Sequence, residues 1–379
     1  METPFEYLKR RATGEPFDSQ TVRNWYIARA FVFDKFKDIA IAADSDKHLH
    51  VVVDGATERM LFVVRQIALM AHFLNYRDDD AQPLRTVISI VWHGDDSQEL
   101  WRQLQREELL CNLANECRCV DVDGTVRNAD SHVDIELRIV NENDNDNEND
   151  GAAILRQVSR AEVDAYFDGA ADDDASIFKV DTRKAIYTSR IYDVGSDIFD
   201  LPAEDIHNAH RYTLALNVLQ YIYLEKPLSD MVNDAIWRQK SPCRVKECVS
   251  NILCSDCFEL RQRCIGSDDM KVWESCNAAL SRSEHARWVV EKLILGYRPL
   301  NADEHRHDNL LQVQQGGRQL RQQYHAYLKR RNADPAHIDL CSYRDLRRIN
   351  PDDLKLDSFL MLAIPLIMNK VAEGDKQQE

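Results

Sequence analysis

Two apolar strands separated by a single helix constrain this chain more than any other feature. His48-Leu-His-Val-Val-Val53 is short and β-branched, and Asp54-Gly55 follows it as a turn pair. A helix is expected from about Glu58 to Phe73, with Leu61, Val64, Ile67, Ala68 and Ala71 on one amphipathic face. Arg85-Thr-Val-Ile-Ser-Ile-Val91 reads as the next strand. Strand, turn, helix, strand is a βαβ unit, and its two strands pair in parallel. Both strands are nearly continuous in apolar residues, which fits a sheet covered on both faces. The N-terminal part is therefore expected to be an α/β, Rossmann-like domain with a parallel sheet.

The turn after the first strand bears on cofactors. A dinucleotide turn uses three glycines so that the backbone can approach a pyrophosphate at the helix N-terminus. Here the turn reads Asp54-Gly55-Ala-Thr-Glu58-Arg59-Met60, with one glycine and an acidic residue where phosphate would sit. The second strand should close on an Asp or Glu that holds the ribose, but it gives Val91-Trp92-His93-Gly94 before Asp95. Asp54, Gly55 and Glu58 thus form a degenerate dinucleotide turn. No cofactor is expected, and NAD binding is not expected. His48 and His50 share one strand face; strand-edge packing is the simpler reading, and a paired imidazole site is the other.

Further along, Glu99 to Leu113 is expected to be helical and His132 to Val140 to be a third strand. Residues 141–151 alternate Asn with Asp or Glu and read as a solvated acidic loop. Asp146, Glu148, Asp150 and Gly151 mimic the start of a calcium loop, but the position for its closing bidentate Glu is Gln157. Ala175–Val180 is another strand candidate and Asp205–Leu224 a helix. Residues 1–36 read as a helical lead-in packing through Trp25, Tyr26, Phe31 and Phe33.

The second informative stretch is 283–298. At helical spacing His285, Trp288 and Lys292 share a stripe beside Val289, Leu293 and Ile294, and Gly296 ends the helix where a left-handed cap is easiest. Trp288 and Tyr297 offer flat faces for stacking a ring. Lys292 and Arg298 offer charge and donors for a phosphate or carboxylate, and His285 and Tyr343 could fix orientation. The competing reading places Trp288 and His285 in the core, with His285 satisfied by backbone.

The run His285-x-x-Trp288-x-x-x-Lys292 ending in Gly296-Tyr297 resembles the signature helix of the ryanodine-receptor (RyR) domain. His337, Tyr343, Leu346 and Lys355-Leu-Asp357 before a closing apolar helix stand in the family's order, with Cys341-Ser342 and Ser358 as departures. His48, His50, Ala71-His72-Phe73, Asn75-Tyr76 and Arg85-Thr86 resemble the Rossmann-type domain of potassium-conductance regulators, which occurs fused to RyR domains in bacterial proteins. Trp237, Ser250-Asn251, Arg261 and Arg263 resemble the connection between the two. The resemblance implies a helical lead-in (1–36), a degenerate Rossmann-like domain (37–200), a helical linker (201–280) and a mainly helical RyR-like domain (281–372). It also implies a nucleotide-derived ligand for the RyR-like domain, and a homodimer is compatible with it.

Charge and cysteine usage narrow the partners. A net charge of −16 excludes nucleic acid and anionic membranes as default partners, because both reward clustered positive charge. The strongest basic stretch, Arg318 to Arg331, reads as a solvated helix face. Phe359–Met368 is far short of the ~20 apolar residues a membrane helix needs, and Pro365 is expected to break it. No secretory signal opens the chain, so a cytoplasmic protein is expected. Of ten cysteines, five lie between Cys243 and Cys264, including Cys254-Ser-Asp-Cys257. Their helical context favours buried reduced thiols over zinc. Asp303-Glu304-His305-Arg306-His307 reads as an exposed loop rather than a metal site.

No nucleophile elbow, phosphate-binding glycine loop with Lys-Ser/Thr, or zinc-protease helix is present. The expectation is a non-catalytic regulatory or sensor protein that binds a small ligand or a protein partner. The alternatives are a cytosolic regulatory subunit of a potassium-transport system and an enzyme acting on a nucleotide at the Rossmann cleft.

Overall fold

The computed structural model describes residues 39–141 (except 82 and 108), 165–167, 253–301 and 336–375, with isolated helical positions at 24, 25, 28, 29, 32, 33, 36, 250, 304 and 323. The candidate strand 175–180, the candidate helix 205–224, the acidic run from 142 and the basic run 318–331 lie outside the described residues. So do Tyr26, Phe31, Gln157, Trp237, Cys243, Cys248, His305 and His307.

The first half builds β1 (His50–Asp54), α1 (Glu58–Met70), β2 (Thr86–Trp92), α2 (Ser97–Leu104) and α3 (Cys111–Glu116). Then come β3 (Arg118–Val120), β4 (Val126–Arg127), β5 (Ile135–Asn141) and β6 (Ala165–Phe167). The strands form one sheet in the order β4-β3-β5-β2-β1-β6. Five of the strands run parallel, and β4 is antiparallel to β3. The α/β start with a parallel sheet is therefore present. β2 lies on one side of β1 and β6 on the other, so chain direction switches at β1, where open α/β sheets form their crevice.

Register sorts the two faces. Val51, Val53, Ile88, Ile90, Leu137, Ile139 and Cys119 point into the main core with α1. The opposite face has a small buried apolar cluster of Val52 and Val91, with Val140 against it. α1 itself departs from expectation. It is shorter than 58–73, and Met60 through Met70 are all buried, Arg65 and Gln66 included, so it is enclosed on every side rather than amphipathic. Layers on both sides require that. The sheet covers one side, and the C-terminal helices pack on the other.

Two more expectations change. The helix expected over 99–113 is two helices, α2 and α3, because the chain turns between them with Leu109 at positive φ. The third expected strand starts later, at Ile135, and the β3–β4 hairpin precedes it. The hairpin is short and half-polar, which leaves no period-2 pattern to read.

The C-terminal part contributes α4 (Phe258–Ile265), α5 (Met270–Ser275), α6 (Asn277–Ile294), α7 (Tyr343–Ile349) and α8 (Pro351–Asp375). α6 ends as expected: Gly296 takes φ 80°, and Tyr297 N–H bonds the Lys292 carbonyl at 2.9 Å. Pro365 does not stop α8, which runs through it. Proline costs one helical hydrogen bond there, and burial of Leu360, Met361, Ile364 and Ile367 offsets it. α6 packs against α1, α3, α7 and α8, so one apolar core runs from Trp25 to Ile367. Among the described residues no helix is long and apolar enough to cross a membrane.

Candidate functional site

The residues after α1 explain how α6 is seated. His72 Nδ1 and Asp134 Oδ2 form a buried pair at 2.8 Å, and Asn75 donates to the Ser45 and Lys47 carbonyls. Tyr76 OH donates to the His132 carbonyl at 2.7 Å. This clamped segment then receives α6: Ser283 Oγ donates to His72 O at 2.9 Å and Arg282 Nη1 to Tyr76 O at 3.1 Å.

Seated there, one stripe of α6 presents His285, Trp288 and Lys292 to residues 297–298 and 337–343. The His285 and Trp288 rings are stacked with centroids 6.2 Å apart, and His285 lies 6.0 Å from Tyr343. The His337 ring stands edge-on to Trp288 at 5.0 Å and to Tyr297 at 6.0 Å. The Lys292 ammonium sits 5.4 Å from the Trp288 centroid, and the Arg282 guanidinium 5.8 Å from that of Tyr343. An isolated bridge between Arg298 and Ala336 brings the two stretches together. All six candidates (His285, Trp288, Lys292, Tyr297, Arg298 and Tyr343) therefore belong to one neighbourhood, and His337 completes it.

Burial divides them. His285 is buried and its Nε2 meets the Cys341 carbonyl at 2.8 Å, the backbone satisfaction foreseen as the competing reading. Trp288, Tyr297, His337 and Tyr343 are half-buried, as are Lys292 and Arg298. The cations are held in place. Arg298 forks onto Glu304 at 2.8 and 3.0 Å, and Lys292 pairs with Glu291. Burial pushes the Tyr343 hydroxyl above its usual value, Asp357 adding to it and Arg282 opposing. The cluster thus gathers four half-buried rings and the buried His285 ring beside Lys292 and Arg298, each paired with a carboxylate.

A second set on the same helix escaped the sequence reading. Glu284, Arg287 and Glu291 lie one position before His285, Trp288 and Lys292 and face inward. Arg261 Nη2 donates to Glu284 at 2.7 Å, Arg287 forks onto Glu284 at 2.8–3.1 Å, and Arg287 Nη1 reaches Glu291 at 2.7 Å. Ser250 Oγ donates to the same carboxylate at 2.9 Å. Burial by itself raises the Glu284 pKa, but Arg287 and then Arg261 outweigh it and hold the group at about 2. Burial raises Glu291 likewise, and Lys292 followed by Arg287 brings it below the usual carboxylate range. The signal was present as Glu284-x-x-Arg287-x-x-x-Glu291 pairs at helical spacing, a pattern that ordinarily marks a solvated face.

The degenerate turn lies at the other end of the sheet. Asp54 closes β1, and Gly55, at φ 87°, spends its N–H on the Val91 carbonyl at 3.0 Å. Thr57 caps α1 through Met60 N–H, and Glu58 occupies the first turn. The Trp92 ring crowds Gly94, where a Cβ would stand 2.5 Å from it. The Met60 N–H at the helix end is thus already spent on the Thr57 hydroxyl. Cys254, Cys257 and Cys264 are buried free thiols, with burial pushing Cys257 up to about 11. Among the described residues no three His, Cys, Asp or Glu side chains are placed to hold a metal ion. Comparison with known proteins returned no matching family model, no matching curated protein and no matching solved structure.

Proposed function

We propose that the chain is a non-catalytic sensor or regulator that binds a small, ring-bearing ligand of nucleotide type at the aromatic cluster of α6, with a protein partner as the other occupant. One observation carries this reading: three separate stretches bring Trp288, Tyr297, His337 and Tyr343 together with their rings half-buried, beside Lys292 and Arg298. Half-buried, these rings keep surface on which a further ring can stack. Placed at the rim with cations alongside, they supply a stacking surface and a phosphate-facing charge in the same place.

The test is a thermal-shift screen of the full chain against NAD, ADP-ribose, cyclic ADP-ribose, ATP and cyclic dinucleotides. A ligand at 100 times its Kd stabilises the native state by about 2.7 kcal/mol. The expected result is a shift that disappears in Trp288→Ala and Lys292→Ala and persists in Glu58→Ala. A shift lost only in Glu58→Ala assigns binding to the crevice at β1 instead, and silence across the panel removes the small-molecule reading.

A further inference from the structure

The sheet face turned away from α1 carries charge where a central parallel strand ordinarily carries aliphatic residues. Register aligns His50, Val87, Glu136 and Arg118 in one row across four strands, and Val52, Ser89, Arg138 and Val120 in the next. The Glu136 carboxylate receives both guanidiniums, Arg118 through Nη1 and Arg138 through Nε. Two arginines against one carboxylate leave one net positive charge, in a chain whose overall charge is −16. The four inner groups of the α6 ladder, by contrast, balance two against two.

Accessibility follows the same asymmetry. The Glu136 side chain is 6% exposed, whereas those of Arg118 and Arg138 are 26% and 39% exposed. Among the described residues Arg118 donates only through Nη1 and Arg138 only through Nε, so each fork keeps N–H groups without an acceptor. Beside them Ser89 Oγ and His50 Nε2 are hydrogen-bonded at 2.8 Å. Burial, then Arg138 and His48, push the His50 imidazole down to about 4 against the opposing pull of Glu136. His50, neutral and buried, adds no charge to the patch, which leaves the two guanidiniums as its cations.

We propose that this patch is an oxyanion-binding site, separate from the aromatic cluster, in which the solvent-facing N–H groups of Arg118 and Arg138 grip a phosphate or carboxylate group, with Ser89 and His50 buried beside them. Glu136 holds both guanidiniums in place, so their remaining forks are ordered before the anion arrives.

The experiment titrates the full chain with inorganic phosphate and with malonate, each against sodium chloride at equal ionic strength, reading the unfolding midpoint. At least one of the two anions is expected to stabilise beyond chloride, and the one that does names the group. Its apparent Kd should weaken by about tenfold in Arg138→Met, as loss of a charge-assisted hydrogen bond entails. Arg138→Lys keeps the charge and removes the fork; it should weaken binding too, and it guards against misfolding of the methionine variant. Trp288→Ala should leave the response in place, which separates this site from the aromatic cluster. A response equal to that of chloride, or one unchanged in both Arg118→Met and Arg138→Met, overturns the proposal.

Discussion

Two stripes of α6 lie one residue apart in sequence and do opposite work. Glu284, Arg287 and Glu291 face inward, are nearly free of solvent, and are saturated by one another, by Arg261 and by Ser250. His285, Trp288 and Lys292 face the 337–343 stretch, where rings meet rings and the rim stays partly open. The inner stripe gains little from its Coulomb attraction after desolvation, but removing one member leaves an uncompensated buried charge. The outer stripe can lose a side chain more cheaply, because solvent reaches it. Binding and folding can thus share a helix without sharing residues. Lys292 is the exception, touching Glu291 on one side and the Trp288 face on the other.

Breaking the inner stripe should have the largest effect. Arg287→Met leaves Glu284 and Glu291 short of a partner and is expected to cost about 3–5 kcal/mol, read by urea unfolding. If Arg287→Met unfolds like the wild type, the ladder does not hold α6 in place. Next in size is acid. Against burial, the Arg287 and Arg261 guanidiniums hold the Glu284 carboxyl at about 2, below its ordinary 4.5, so its stabilisation is present above about 4.5 and lost as pH falls toward about 2. His50 and His132 are both held neutral with pKa values of about 4, chiefly by burial, against 6.5 for a free imidazole. They must charge on unfolding, so stability should already decline as pH drops below 6.5. Two successive slopes in the midpoint-versus-pH curve are expected, and Glu284→Gln should flatten the lower one, with Glu291 keeping a part of it.

Smaller effects sharpen the contrast. Trp288→Ala removes a half-buried ring and should cost about 1–2 kcal/mol of stability, while abolishing the ligand-induced thermal shift. A variant that loses stability like Arg287→Met but still responds to ligand would reverse the roles of the two stripes. Lys292→Met keeps the aliphatic stem over Trp288 and should cost about 1 kcal/mol through Glu291. As the residue common to both stripes, it should also weaken the ligand response. Smallest of all, Glu58→Ala at the degenerate turn should leave both readouts within about 0.5 kcal/mol of wild type.

Runs of apolar residues carried most of the fold that could be read from sequence. β1, α1 and β2 stand where strand, helix and strand were expected, because short β-branched runs bounded by turn residues mark strands and a longer apolar run marks a helix. The β3–β4 hairpin and the break between α2 and α3 did not, since three-residue strands and a turn through Leu109 carry no period. Enclosure of α1 on every side was equally hidden. Arg65 and Gln66 look like an exposed stripe until a second layer covers them.

For the site, residue type and spacing determined which side chains could stack and carry charge, and the α6 cap at Gly296 fixed where the helix would deliver them. The sequence by itself therefore settled the parallel α/β start, the C-terminal end of α6 and the identity of its aromatic stripe. Only tertiary structure decided that His337 closes on Trp288 and Tyr343 on His285, that Arg261 and Ser250 reach the inner stripe, and that Arg118 and Arg138 converge on one carboxylate. Local pattern sets which face a side chain takes, but which charge meets which depends on chain segments distant in sequence, and one-dimensional spacing holds no record of that.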